Sequence, residues 1–211
     1  MAIGIALLLL KNNIIFCWGN NNKGQLGLNE NLDEILIPKK LVLNCDNDSD
    51  IDNIFCGKDF SIFHNAKKEI FVCGNNEEGQ LGIKKEYIDK YKNEEEYLQP
   101  ILNEQFFNLE IIKISCGEKF CLAMIKDSIT KLISIWTWGR NKEGQLGLDD
   151  DNIENSRPKL VPYLLEFVNH YPLNIACGKS HCLVLLERKE DNFNIDNKQI
   201  LNQLILKYNK F

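Results

Sequence analysis

The chain has 211 residues, 44% apolar and 26% charged, with a formal net charge of −5. That is enough apolar material for a packed core. It is too acidic a balance for a chain that grips nucleic acid through clustered Lys and Arg.

The chain opens on an apolar run, Ile3 to Leu10. No basic residue precedes it and no small-residue cleavage pattern follows, so it is a poor secretory signal. It is also shorter than the roughly 20 residues that cross a bilayer. It reads instead as a buried strand over Ile5 to Leu10, an Asn12-Asn13 turn, and a second strand from Ile14 to Trp18.

Two motifs then alternate along the chain. The first is G-x-x-x-x-G-Q-L-G. It occurs as Gly19, Gly24, Gln25, Leu26, Gly27; as Gly74, Gly79, Gln80, Leu81, Gly82; and as Gly139, Gly144, Gln145, Leu146, Gly147. An aromatic precedes it at Trp18 and Trp138, and Cys73 takes that place in the middle copy. The second motif is Ile-x-Cys-Gly, at Cys56-Gly57, Cys116-Gly117 and Cys177-Gly178. Of the 13 glycines only Gly4 lies outside these motifs. Two interleaved motifs with a period near 60 residues define a repeat architecture.

Each period reads as four short strands. A proline opens the first: Pro38 to Val42, Pro100 to Leu102, Pro158 to Val161. The second runs into Cys-Gly, over 51–56, 111–116 and 173–177. The third follows that turn, over 61–63, 121–125 and 182–186. The fourth ends at the aromatic-Gly step, over 70–73 and 133–138. In the Gly-Gln-Leu-Gly turn the apolar leucine is expected to face inward. The glutamine amide is expected to satisfy backbone groups. Two segments break the period. Residues 84–98 carry Tyr87, Ile88, Tyr91 and Leu98 at helical spacing. The tail carries Asp196 and Gln199 as a capping box before an Ile200, Leu201, Leu204, Ile205, Tyr208 stripe. The fold class expected is all-β: a partial β-propeller of four-stranded antiparallel blades over residues 1–186, with a short helical insertion. A non-repeat helical tail fills 187–211.

The pattern W-G-x-N-x-x-G-Q-L-G alternating with I-x-C-G resembles the regulator of chromosome condensation repeats. The resemblance runs over roughly residues 1 to 186. Phe60 and Phe120 stand where that family usually has histidine, which recurs here as His181. The resemblance implies blades of a seven-bladed ring, whereas this chain carries three repeats and a part. An arc of that kind has open sheet edges that invite pairing with another chain or a second copy. The expectation is therefore a repeat portion of a longer product, or of an assembled ring.

Eight cysteines need placing. Cys56, Cys116 and Cys177 share one repeat position, Cys121 and Cys182 another, and there is no C-x-x-C. Residues recurring once per blade are expected to lie far apart, so neither zinc nor a disulfide network is expected. Free thiols suit the cytoplasm or nucleus. His181, at a repeat position, is expected to be buried and hydrogen-bonded. Gly19 to Gly24 mimics part of a phosphate-binding loop, but Gln25 and Leu26 replace its lysine and hydroxyl residue. The acidic stretch Asp46 to Asp50 has no later Gly and Glu of a calcium loop. No catalytic, cofactor or metal residues are assigned, and neither nucleic acid nor membrane is expected as a partner. The expected function is a non-enzymatic module that binds a protein partner. The resemblance implies two alternatives: nucleotide exchange on a small GTPase, and the repeat portion of a larger enzyme such as a ubiquitin ligase. Circular dichroism of the chain is expected to be strand-dominated; a mostly helical spectrum would overturn the repeat reading.

Overall fold

A computed structural model describes residues 4–11, 13–30, 32–43, 50–83, 101–102, 110–127, 131–149, 154–162 and 170–188. The 84–98 insertion and the tail beyond 188 lie outside them. Among the described residues every regular element is a strand. They are β1 (Ile5–Leu9), β2 (Ile15–Asn20), β3 (Glu34–Leu41), β4 (Ile51–Cys56), β5 (Phe60–Asn65), β6 (Ile70–Gly74) and β7 (Ile101–Leu102). They continue as β8 (Glu110–Cys116), β9 (Phe120–Lys126), β10 (Ile133–Arg140), β11 (Glu154–Leu160), β12 (His170–Cys177) and β13 (Cys182–Arg188).

The strands form four antiparallel blades: β1-β2-β3, β4-β5-β6-β7, β8-β9-β10-β11 and β12-β13. This corrects the sequence reading in one respect. The proline strand does not open a blade; it closes the preceding one. β3 pairs with β2, β7 with β6 and β11 with β10. Nor does proline start its strand. Pro38 and Pro158 lie inside β3 and β11, where the register slips between Cys17 and Gly19, and between Thr137 and Gly139. Both strands are outermost in their sheets. A bulged edge strand tolerates a residue without an N–H, and an interior strand does not.

The core lies between sheets rather than within them. One cluster joins Ile15, Cys17, Leu26 and Ile35 of the first blade region to Phe63, Phe71 and Cys73 of the second. The next joins Phe60, Ile62 and Val72 to Ile114, Ala123 and Trp138. The third joins Leu122, Met124 and Ile135 to Ile175, with Cys177, Cys182 and Val184 packed against it. A strand with a sheet on both sides has both faces buried, so β5 is buried throughout and β9 in all but its last residue.

His64 is one of three polar residues buried in β5, with Ser61 and Asn65. Its repeat equivalents are Met124 and Leu185. It is buried, and its Nε2 has no hydrogen-bond partner. Desolvation holds its pKa below the usual imidazole value, against an opposing pull from Asp52. The unfolded chain therefore binds this proton more readily than the folded one. Stability is intact above the unfolded value of about 6.5 and falls as pH drops towards the folded value. Thermal melts are expected to weaken from pH 7.5 to 5.5, and His64→Met to remove much of that slope. An unchanged slope in the variant would assign the dependence elsewhere.

Candidate partner-binding face

Two kinds of turn meet at one end of the second and third blades, because β4, β6 and their equivalents end where β5 and its equivalent begin. The Cys-Gly turns link β4 to β5, β8 to β9 and β12 to β13. The Gly-Gln-Leu-Gly turns follow β2, β6 and β10. Within a blade the two turns are tied: Asn75 N donates to Asp59 O (2.8 Å) and Arg140 N to Lys119 O (2.9 Å). This approach explains the aromatic-Gly glycines. Gly74 and Gly139 have φ of 103° and 102°, and a Cβ there would run into those same carbonyls, Asp59 O and Lys119 O.

The Gly-Gln-Leu-Gly turn is built identically three times. The asparagine two residues after the first glycine accepts from the leucine N–H: Asn21 Oδ1 from Leu26 (3.0 Å), Asn76 from Leu81 (2.9 Å), Asn141 from Leu146 (3.1 Å). The glutamine Oε1 accepts from the N–H two residues before it: Gln25 from Lys23 (2.8 Å), Gln80 from Glu78 (2.9 Å), Gln145 from Glu143 (3.0 Å). Leu26, Leu81 and Leu146 are at most 1% exposed. Asn21, Asn76 and Asn141 are the N of the W-G-x-N-x-x-G-Q-L-G pattern, to which the sequence reading assigned no role. Their recurrence in register was the available signal.

Each turn also joins its blade to the next through the glutamine main-chain carbonyl. Gln80 O accepts from Trp138 Nε1 (3.0 Å) and lies 3.7 Å from Cys121 Sγ. Gln25 O accepts from Ser61 Oγ (2.6 Å) and Cys73 Sγ (3.5 Å). Gln145 O accepts from Cys182 Sγ (3.3 Å). Cys73, in the tryptophan position, thus keeps a donor to the same acceptor. Trp138 is fully buried, while Trp18, with no described sheet before it, is half-buried.

The Cys-Gly turns also run from blade to blade. Lys58 N donates to Glu118 O, and Glu118 N to Lys179 O, both at 3.2 Å. Their side chains repeat the link, with Lys58 2.9 Å and Lys179 3.6 Å from Glu118. Lys23 pairs with Glu77 (3.1 Å), Lys119 with Glu78 (3.6 Å) and Arg140 with Glu143 (2.7 Å). Lys58 hydrogen-bonded to Glu118, and Arg140 to Glu143, hold those carboxyls below the usual range. Such exposed pairs add little to stability, because solvent screens them. Their consequence is a face of alternating charge. A cleft of about 310 Å³, lined by Glu118, Lys119, Arg140, Glu143, Gln145 and Lys179, opens in it between the third and fourth blades.

One expectation needs correction here. His181 is exposed, whereas its equivalents Phe60 and Phe120 are fully buried. All three rings lie over the glycine of their Cys-Gly turn, where a Cβ would overlap them. The difference is that no described sheet covers the outer side of the fourth blade. Cysteines of the two different repeat positions meet within a blade. Cys116 and Cys121 have sulfurs 3.7 Å apart, and Cys177 and Cys182 3.9 Å. Among the described residues all seven cysteines are free thiols, and no group of three or more His, Cys, Asp or Glu is placed to hold a metal.

The regulator of chromosome condensation (RCC1) repeat model matches residues 12–63, 69–124 and 134–185. The chain belongs to the RCC1 repeat family. It is 31% identical over 186 residues to the human probable E3 ubiquitin-protein ligase HERC6, covering 85% of this chain and 16% of that protein. It is 27% identical over 170 residues to the mouse secretion-regulating guanine nucleotide exchange factor, covering 81% of this chain and 32% of that one. The crystal structure of Prp20p from Saccharomyces cerevisiae superposes with a TM-score of 0.76 at 17% identity, over 97% of this chain and 46% of Prp20p. The chain therefore spans less than half the length of each of these proteins, and it shares the fold of Prp20p over the part it covers. Among the described residues no helix is long and apolar enough to cross a membrane.

Two glycines of this RCC1-repeat module separate strain from collision. Gly79 and Gly144 have φ of 77° and 70°, but only Gly79 lies against a neighbour, with a Cβ position 2.6 Å from Ser156 Cα in β11. Gly144→Ala is expected to cost about 1 kcal/mol from backbone strain, and Gly79→Ala roughly 2 kcal/mol more because main chain must move. Equal losses in chemical denaturation would show that the Gly79–Ser156 approach is not tight.

Proposed function

We propose that the chain is a non-enzymatic propeller module, residues 1–186, that binds a protein partner through its turn face and works within a ring of further blades. Residues 187–211 form a separate non-repeat tail in this reading. The observation that carries it is the contrast between equivalent positions. Leu122 and Met124 in β9 are 2% and 3% exposed; Leu183 and Leu185 in β13 are 64% and 57% exposed. The first pair packs on the following blade, and the second presents the same apolar surface with no described sheet against it. At the other end of the arc, Leu8 is 44% and Leu10 39% exposed. Apolar faces of this kind suit further blades of the same architecture.

The partner is a protein in this reading because the turn face offers alternating charge and backbone rather than a lysine-rich strip. Prp20p is described with its binding to Gsp1p and histones. With the exchange factor among the relatives, this supports nucleotide exchange on a small GTPase as the second reading. The likeness to HERC6 supports a third, the repeat portion of a larger ligase. The setting proposed is the cytoplasm or nucleus.

Light scattering after size-exclusion chromatography tests the ring. The isolated chain is expected to self-associate, and the double substitution Leu183→Asp, Leu185→Asp to reduce association. A sharp monomer at tens of micromolar would mean that the arc is self-sufficient. Release of a fluorescent nucleotide from small GTPases tests the second reading; acceleration by this chain would favour exchange over passive binding.

A further inference from the structure

Cys177 ends β12 and Cys182 begins β13, and they face each other directly across the two strands. Gly178 N donates to His181 O (2.9 Å), so 178 and 181 form the hydrogen-bonded pair of the ladder. The neighbouring pair, 177 and 182, is then the non-hydrogen-bonded one. Pairs of that kind bring Cα atoms to about 4.5 Å, within the range of about 4.4–6.8 Å that a disulfide spans. The sulfurs are already 3.9 Å apart, and both residues are half-buried rather than sealed. Each thiol also crosses the seam to the third blade. Cys177 Sγ lies 3.3 Å from Ser115 O in β8, and Cys182 Sγ 3.3 Å from Gln145 O in the Gly-Gln-Leu-Gly turn.

Packing alone does not account for two half-buried thiols that touch. The first repeat does without the pair, since Ser61 stands opposite Cys56. We propose that Cys177 and Cys182 are a reversible dithiol–disulfide pair that responds to hydroperoxides, and that its closure releases the two thiol–carbonyl contacts holding the fourth blade to the third. The Cys177 thiolate attacks the peroxide oxygen. The O–O bond breaks, and hydroxide leaves and is protonated to water. The resulting Cys177 sulfenic acid is attacked by Cys182 sulfur. The S–S bond forms, the S–O bond breaks, and hydroxide departs with the Cys182 proton as a second water. Two thiols and one hydrogen peroxide thus give one disulfide and two waters, and a small dithiol reductant reverses the change.

The roles of the two sulfurs follow from their contact. Once Cys177 is ionised, the Cys182 S–H can turn from Gln145 O to the neighbouring sulfur, and that hydrogen bond lowers the pKa of Cys177 and raises that of Cys182. Cys116 and Cys121 have the same register and sulfurs 3.7 Å apart. Cys121, the equivalent of the resolving Cys182, is however fully buried, whereas Cys182 is half-buried. A resolving thiol sealed in the seam is slow to reach a sulfenic acid at Cys116. The third blade therefore carries an internal comparison for the fourth.

The test uses the full reduced chain at pH 7.5. It is exposed to hydrogen peroxide, its remaining thiols are alkylated, and it is digested with trypsin without reduction. Lys179 lies between Cys177 and Cys182, and Lys119 between Cys116 and Cys121, so each disulfide appears as two joined peptides. The 177–182 cross-link is expected first, about tenfold faster than 116–121, and is lost on adding dithiothreitol. In Cys182→Ser, Cys177 is expected to accumulate as a sulfenic acid trapped by dimedone. Oxidation is also expected to speed hydrogen exchange at the Cys177 amide, which donates to Ser115 Oγ at 2.9 Å. The proposal is overturned if both thiols remain alkylatable at a dose that oxidises half of the exposed Cys56. It is equally overturned if Cys177 becomes sulfinic acid without a cross-link, or if the 177 amide exchanges unchanged after cross-linking.

Discussion

One acceptor organises the seams between blades: the main-chain carbonyl of the glutamine in each Gly-Gln-Leu-Gly turn. That carbonyl faces the next blade because the turn is held rigid by its own asparagine, glutamine side chain and glycines. The next blade answers with whatever donor its sequence supplies: a hydroxyl at Ser61, thiols at Cys73 and Cys182, an indole N–H at Trp138. A buried carbonyl left without a donor costs roughly 1–3 kcal/mol. The repeat can therefore vary the donor while the acceptor stays constant. This accounts for the cysteine in the tryptophan position, which looked like a defect in the motif.

Because the apolar clusters lie between sheets, no blade has a core of its own. Stability becomes a sum over seams, and each blade depends on its neighbours. The middle strands β5 and β9 show both faces covered, while β13 alternates between half-buried and exposed residues. The charged turn face rides on the same arrangement. Its Lys58–Glu118–Lys179 link crosses two seams, so any partner bound there reads several blades at once.

Much of this was legible in the residues. The period, the all-β class, the strand-turn-strand around each Cys-Gly and the inward leucines all follow from local patterns. Alternation, glycine at forced positions and one apolar residue in a polar turn each have a local physical cause. The proline strand was misassigned to the following blade because proline signals an edge without saying of which sheet. The bulges at Pro38 and Pro158 resolve that, and only pairing partners reveal a bulge.

The sequence by itself determined the turns, since their hydrogen bonds run between residues within five positions of one another. It also determined that the blades repeat. Tertiary structure decided which copies of a motif are buried. His181 and Phe120, Trp18 and Trp138, Leu183 and Leu122 hold equivalent places in the chain yet differ in exposure. It also decided that cysteines five residues apart meet as pairs across a strand turn. The physical reason is the same in each case. A turn closes on itself, whereas the burial of a strand depends on the sheet beside it, and that sheet is distant in the chain.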